Sequence, residues 1–253
     1  LLSRNPREFW DRIVTFADFQ SDRIRRRCPQ TPISVEELKT RLANILGPQL
    51  VQHFCDPALS EIEEQVLKAQ MQIASSAAFG MFHGADFSLA RLCYAVCRMQ
   101  KPVIVLETGV AHGVTSAFLL QAMAVNGTGE LWSVDLPPLA EMANSQAGIL
   151  VPEDLRARWH MVRGASRRVL PGLVAQLPQL DMFLHDSLHT YRNMKLEFTT
   201  VWPKLSAGGV LISDDVEMNR AFQNLIAEHD VSFAGVAKEQ QKNSMLGVAI
   251  KSF

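Results

Sequence analysis

The chain has 253 residues, 47% of them hydrophobic and 20% charged, with a formal net charge of −1. That composition is ordinary for a globular protein long enough to bury a sizeable core, and the balanced charge gives no global sign of a nucleic-acid or membrane-surface partner. No stretch approaches the roughly 20 apolar residues of a membrane span. Arg4, Arg7, Glu8 and Asp11 interrupt the start, which has no apolar signal core. The basic run Arg23–Arg27 is broken by Ile24 and reads as a solvated helix face. The four cysteines, Cys28, Cys55, Cys93 and Cys97, form no C-x-x-C pair and are too few for a disulfide scaffold. Cys93 and Cys97 fall on one helix face as buried thiols, and a reducing, cytoplasmic setting fits them.

Residues 1–100 read as a helical N-terminal region without a clear strand, punctuated by Pro29, Pro32, Gly47-Pro48 and Pro57. Leu59, Ile62, Val66, Ala69 and Ile73 step by three and four, the spacing of one helix face. A further helix is expected over Asp86–Met99 with Asp86 as its N-cap. From Lys101 the pattern changes. Strands are expected at Val103–Leu106, Leu131–Val134, His160–Arg163, Met182–His185, Val210–Ser213, Val231–Val236 and Leu246–Ile250. Helices are expected between them at Val114–Val125, Arg167–Gln176, Tyr191–Leu205 and Arg220–Glu228. Alternation of this kind implies βαβ units and a mostly parallel sheet. The last two strands have only the polar stretch Lys238–Asn243 between them, so they should be antiparallel. Two parts are therefore expected: residues 1–100, covering a substrate or joining subunits of a homo-oligomer, and an α/β domain over 101–253.

Four segments carry chemistry. The first runs Glu107-Thr108-Gly109-Val110-Ala111-His112-Gly113-Val114-Thr115-Ser116, a strand end, a glycine-containing turn and a helix start. Glycines permit tight turning and close approach to a ligand, and the helix start offers free N–H groups. Open α/β sheets bind ligands at this end of their strands. A dinucleotide site would want G-x-G-x-x-G, but Ala111 stands at the middle glycine and Glu107 would repel a pyrophosphate. The pattern resembles instead the E/D-x-G-x-x-x-G motif for S-adenosylmethionine (SAM), with Glu107 facing the cofactor's amino group. His112 is expected at the solvent or cofactor edge. The second feature is Asp135, ending the next strand, where a carboxylate can accept both hydroxyls of a ribose; NAD and SAM share this need. The third is Arg163-Gly164-Ala165-Ser166, which reads by itself as a plain turn with Ser166 capping the next helix and which a resemblance to methyltransferases would place beside the adenine.

The fourth segment is the most specific. Asp181-Met182-Phe183-Leu184-His185-Asp186-Ser187-Leu188-His189-Thr190-Tyr191 is followed by Gly208-Gly209-Val210-Leu211-Ile212-Ser213-Asp214-Asp215-Val216. Asp186, Asp214 and Asp215 end adjacent strands roughly 5 Å apart. Like charges at that range call for a neutralising partner, and oxygen ligands favour Mg²⁺, Ca²⁺ or Mn²⁺. The competing reading has one Asp capping a helix and another facing solvent. His189 could reach the same pocket as a proton acceptor, whereas His185 should point the other way and pack.

Together these residues resemble the class I SAM-dependent methyltransferases, and most closely the metal-dependent O-methyltransferases of natural-product sugar tailoring, the macrocin and mycinamicin type, over residues 101–253. The resemblance implies a Rossmann-like fold with a seven-stranded sheet and an antiparallel last strand. It implies a cofactor site at Glu107, Thr108, Gly109, Ala111, Gly113, Thr115, Ser116, Asp135, Ala165, Ser166 and Asp186. It implies Mg²⁺ on Asp186, Asp214 and Asp215, with Asp186 and His189 catalytic and His189 the base. The acceptor would be a hydroxyl of a sugar or other small molecule. Catechol-type relatives carry Asp-Asn where this chain has Asp214-Asp215, which leaves open which of the two holds the metal. The alternatives are a metal-independent N- or O-methyltransferase, a nicotinamide oxidoreductase and a non-catalytic SAM-binding module. The N-terminal helices would choose the acceptor, with His83-Gly84-Ala85-Asp86 as an edge of the lid.

Overall fold

A computed structural model describes residues 6–23, 31–77, 80, 85–139 and 142–253. Ile24 to Arg27 of the basic run, Cys28, and His83 and Gly84 of the expected lid edge lie outside the described residues. Among the described residues five helices come first: α1 (Pro6–Arg23), α2 (Val35–Leu46), α3 (Gln49–His53), α4 (Pro57–Ile73) and α5 (Phe87–Gln100). The seven strands follow as β1 (Ile104–Thr108), β2 (Glu130–Asp135), β3 (Trp159–Arg163), β4 (Leu180–His185), β5 (Leu205–Ser213), β6 (Val231–Lys238) and β7 (Met245–Lys251). Between them lie α6 (Val114–Asn126), α7 (Ala143–Gln146), α8 (Ser166–Gln176), α9 (Tyr191–Val201) and α10 (Ala221–Glu228).

The sheet order is β3-β2-β1-β4-β5-β7-β6, with the first five strands parallel and β7 antiparallel to both of its neighbours. The expected mostly parallel α/β sheet with an N-terminal helical extension is thus present. β1 sits mid-sheet and is buried along its whole length. The chain reverses its direction of growth there, first toward β3 and later toward β4. That switch point opens a crevice at the carboxyl ends of the strands.

Local chemistry sets the helix ends. Ser34 accepts from the Glu37 N–H, Asp56 from Ala58 and Asp86 from Ser88, each capping a helix start. The apolar residues of α2, α4 and α5, among them Leu38, Ile62 and Leu92, share one core with Val105, Met182 and Val210 of the sheet. A second core on the other face joins Leu106 and Phe183 to Met194, Phe198 and Val201 of α9. Among the described residues, no helix is long and apolar enough to cross a membrane.

Two expectations change. The helix from Tyr191 ends at Val201 rather than at Leu205: Pro203 sits in a 3-10 turn over Trp202–Lys204, and Leu205 opens β5. The N-terminal region is not wholly helical either, because Ile33 forms a parallel bridge with Ala237 and extends the β6 edge.

Candidate active site

The turns after β1, β2, β3, β4 and β5 all open onto one cavity of about 900 Å³. Backbone hydrogen bonds carry the strand ladder one step past its end: Gly109 N–H donates to Val134, Gly164 to Asp135, Asp186 to Thr108 and Asp214 to His185. Gly109 has φ +85° and packs so tightly against the Asp186 carbonyl that a Cβ there would collide with it. Ala111, at the middle-glycine position, holds φ +47°. The turn therefore keeps a glycine's backbone conformation at a residue that bears about 1–2 kcal/mol of strain for it. Asp135 lines the cavity and accepts from the Val110 N–H at 3.3 Å, and burial raises its pKa to about 6.

Not every expected cofactor residue reaches this space. Gly109, Ala111, Asp135, Ala165, Ser166 and Asp186 line the cavity. Glu107 does not. It is fully buried and accepts hydroxyl hydrogens from Thr115 (2.6 Å), Ser116 (2.6 Å) and Ser133 (2.7 Å). Burial raises its pKa while those hydroxyls oppose the rise. A carboxylate under the first turn of α6 complements the free N–H groups there, so Glu107, Thr115 and Ser116 brace the glycine turn from below. Gly113 is the N-cap of that helix. His112, expected at an edge, is buried. Ser166 does not cap α8 either: Ala165 holds the cap position, and the Ser166 hydroxyl donates to Asn193 Oδ1 at 3.1 Å.

The acidic group resolves into two layers. Asp186, His189 and Asp214 each offer a ligating atom within 4.8 Å of the others. Asp215 stands behind them, its Oδ2 2.8 Å from His189 Nδ1, with φ +50°. That bond turns His189 Nε2 toward the cluster, 3.7 Å from Asp186 Oδ1, where it has no hydrogen-bond partner among the described residues. Asn219 holds the ring's backbone through its amide, which donates to the His189 carbonyl at 3.2 Å. Burial and the neighbouring Asp214 charge push Asp186 well above the usual carboxylate range. Burial likewise raises Asp214. For Asp215, the His189 bond overcomes burial and lowers its pKa. His189 itself is raised, because Asp215 and Asp214 outweigh its burial.

A residue that motif reading passed over organises this loop. Glu197 on α9 is fully buried. Its Oε2 accepts from Thr108 at 2.5 Å and meets His185 Nδ1 at 2.6 Å, while its Oε1 accepts from Ser187 at 2.7 Å and Asn193 at 2.8 Å. Burial acts to raise its pKa, but His185 and the surrounding hydroxyls hold it near about 2. Glu197 thereby ties β1 and the His185–His189 loop to α9. The signal was a carboxylate set three residues after Met194, within the apolar face of that helix. His185 packs, as its strand position predicts.

α1 forms the remaining wall. Arg12, Thr15, Phe19 and Asp22, spaced three and four apart, line the cavity. Asp22 Oδ2 accepts from the Tyr191 N–H at 2.5 Å.

Residues 106–216 match a family model described as a methyltransferase domain. Solved structures share the fold over most of their length. An O-methyltransferase of Streptomyces achromogenes, TomG, involved in tomaymycin synthesis and solved with SAM, has a TM-score of 0.60 at 17% identity, covering 78% of this chain and 91% of that one. An O-methyltransferase of Bacillus cereus, solved with S-adenosylhomocysteine (SAH), gives 0.60 at 16%, covering 85% and 97%. The SAH-bound Podospora anserina methyltransferase PaMTH1 gives 0.52 at 13%, covering 89% and 100%. The fold is that of the class I methyltransferases. No curated protein sequence matches this chain. Within the methyltransferase fold, the glycine turn, Asp135 and the acidic cluster occupy the crevice at the sheet's switch point.

Proposed function

We propose that this chain is a SAM-dependent O-methyltransferase acting on a small-molecule hydroxyl, with a divalent cation held by Asp186 and Asp214. One observation carries the reading: a single cavity brings together the Gly109–Ala111 turn, Asp135 and the Asp186, His189, Asp214 cluster. The tight approach at Gly109 and the cavity's size suit a nucleoside-sized ligand. The crowded carboxylates, with burial opposing their charge, suit a hard cation. When bound, SAM supplies a methyl on a positively charged sulfur, and the cation supplies a Lewis acid for the acceptor oxygen.

The chain's own residues do the rest. Asp135 would take the ribose hydroxyls, and Gly164–Ser166 would border the adenine. The relatives solved with SAM or SAH support that assignment through their shared fold. Asp186 and Asp214 are the metal pair, and Asp215 is an orienting partner, because its carboxylate faces His189 Nδ1. With Nδ1 held, His189 presents Nε2 to the acceptor and accepts its hydroxyl proton. Mg²⁺ prefers oxygen donors, which favours His189 as base over His189 as ligand. Thr15, Phe19 and Asp22 of α1 would face the acceptor, which on the sugar-tailoring resemblance is a hydroxylated natural product.

Calorimetric titration tests this. SAM and SAH should bind and NADH should not, and Mg²⁺ should give a separate heat that Asp186→Ala abolishes. Absence of SAM and SAH binding, with or without Mg²⁺, sinks the reading. Turnover that survives chelation would instead favour metal-independent transfer through His189. His189→Ala should abolish turnover and keep the Mg²⁺ heat; loss of both would make His189 a ligand.

A further inference from the structure

Residues 239–244, joining β6 to β7, are far from a free hairpin tip. The Asp86 carboxylate at the start of α5 accepts from the Gln241 N–H at 2.7 Å and the Lys242 N–H at 2.9 Å through the same oxygen, while its other oxygen caps Ser88 at 2.6 Å. The Gln240 N–H donates to Ser88 Oγ at 3.2 Å, and the Phe87 N–H donates to Gln241 Oε1 at 3.3 Å. Inside the connection, Ser244 donates to the buried Glu239 carboxylate. These bonds fix the Lys242 backbone, and Lys242 lines the same space as Asp186, His189, Asp214 and Asp215 as well as a smaller pocket beside α4.

The other cations on that wall already have carboxylate partners. Arg12 meets Glu8 at 2.7 Å and the Pro137 carbonyl at 2.6 Å, and Arg167 meets Asp11 at 3.4 Å. The Lys242 ammonium forms no hydrogen bond and no ion pair within 4.0 Å among the described residues. Burial opposes charge on Asp186, Asp214 and Asp215, and Lys242 is among the groups that act against it.

We infer that Lys242 is the resident counter-ion of the acidic cluster, placed by Asp86 so that its ammonium and a divalent cation compete for the same carboxylates. This rests on the metal site proposed above. Lys242 is a positioning residue, since it acts on the cation through shared carboxylates and at a distance. A flexible lysine stem suits the role, because the ammonium can swing aside without unfastening the backbone that carries it. The cavity can then hold its acidic residues close together in the absence of metal, at the expense of metal affinity.

The probe is Mn²⁺ alone, titrated into the full chain and followed by electron paramagnetic resonance of the free ion, with no cofactor or acceptor present. Removing a positive charge from the site of a divalent ion should tighten binding roughly tenfold or more in Lys242→Met. Lys242→Arg keeps the charge and should stay near the unsubstituted chain. Without metal, Lys242→Met should lower the thermal midpoint, because the carboxylates lose a compensating charge, and Lys242→Arg should keep it. Equal or weaker Mn²⁺ binding by Lys242→Met overturns the inference, as does Lys242→Arg binding as tightly as Lys242→Met. Failure of both the unsubstituted chain and Lys242→Met to bind Mn²⁺ also overturns it. SAH titration of the same samples separates this from the methyltransferase reading: SAH binding with unaltered Mn²⁺ affinity removes only the role of Lys242.

Discussion

Two of the N-terminal helices that meet the sheet domain, α5 and α1, are held by opposite means. α5 is buried on all sides. Every residue from Phe87 to Cys97 except Arg91 is buried, and the helix packs against α2, α3, α6 and β4. α1 turns its acids inward and its large apolar residues outward. Glu8, Asp11 and Asp18 are buried against arginines, whereas Trp10 and Phe16 are 60% and 64% exposed. Glu8 meets Arg163 at 2.9 Å, Asp11 meets Arg168 at 2.8 Å and Asp18 meets Arg192 at 3.2 Å. Apolar burial is short-ranged and gains from area; ion pairs are geometry-dependent and recover only part of their desolvation cost. α5 is thus part of what makes the domain stable, while α1 is a wall whose attachment can be adjusted.

The largest expected effect lies on α5. Leu92→Ala should cost about 2–5 kcal/mol of global stability, read from urea denaturation, whereas Trp10→Ala on α1 should stay within about 0.5 kcal/mol. Equal losses at the two sites would erase the contrast. Next comes Asp11→Asn. Breaking a buried pair in a rigid setting would cost about 3–5 kcal/mol, but α1 can come away as a unit and cap the loss. Hydrogen exchange over residues 6–23 should therefore rise roughly tenfold or more while the urea midpoint moves little. SAH affinity should weaken with it, since α1 lines the cavity.

Salt should act more gently. Raising ionic strength from about 0.1 to about 1 M shortens the screening length from roughly 10 to 3 Å. Amide protection should fall on α1 and hold on α5; a parallel fall on both would mean that charge does not distinguish them. The smallest effect is expected from acid. Hydrogen bonds from Arg163 and Arg12 overcome burial and lower the Glu8 pKa from 4.5 to about 2. A depressed carboxylate stabilises the docked state above its unfolded pKa, and that contribution is lost as pH falls through its folded value. Protection of α1 should therefore decline between pH 4.5 and about 2, and Glu8→Gln should flatten that decline.

The same contrast explains what could be read from sequence. Strand–helix alternation after Lys101 gave all seven strands, because period and turn residues are local signals. That Asp186, His189, Asp214 and Asp215 would meet was legible because strand ends converge at the switch point of any such sheet, but the expected ligand set of three aspartates was not: Asp215 faces His189 Nδ1, and His189 stands in its place beside Asp186 and Asp214. Glu107 was misplaced for a reason of orientation. Its position at the strand end is local, but its direction depends on Ser133 of β2 and on α6 folding back over it. Glu197 and Lys242 were passed over because neither lies in a motif; each reaches the site from an element that topology alone brings close. The inverted face of α1 follows the same rule. Glu8, Asp11 and Asp18 turn inward only because the arginines of β3, α8 and α9 stand opposite them, and no local signal announces those partners.

The Asp86 clasp has a consequence in time. During synthesis the start of α5 emerges 155 residues before Gln241. At ordinary elongation rates that is an interval of roughly 8–30 s. Throughout it, the oxygen that will hold Gln241 and Lys242 has neither of them to bind. The glycine turn, Asp135, Asp186, His189 and Asp214 are all made within the interval, and the lysine is delivered last. A nascent chain stalled just short of Gln241 would carry every carboxylate of the cluster but not Lys242.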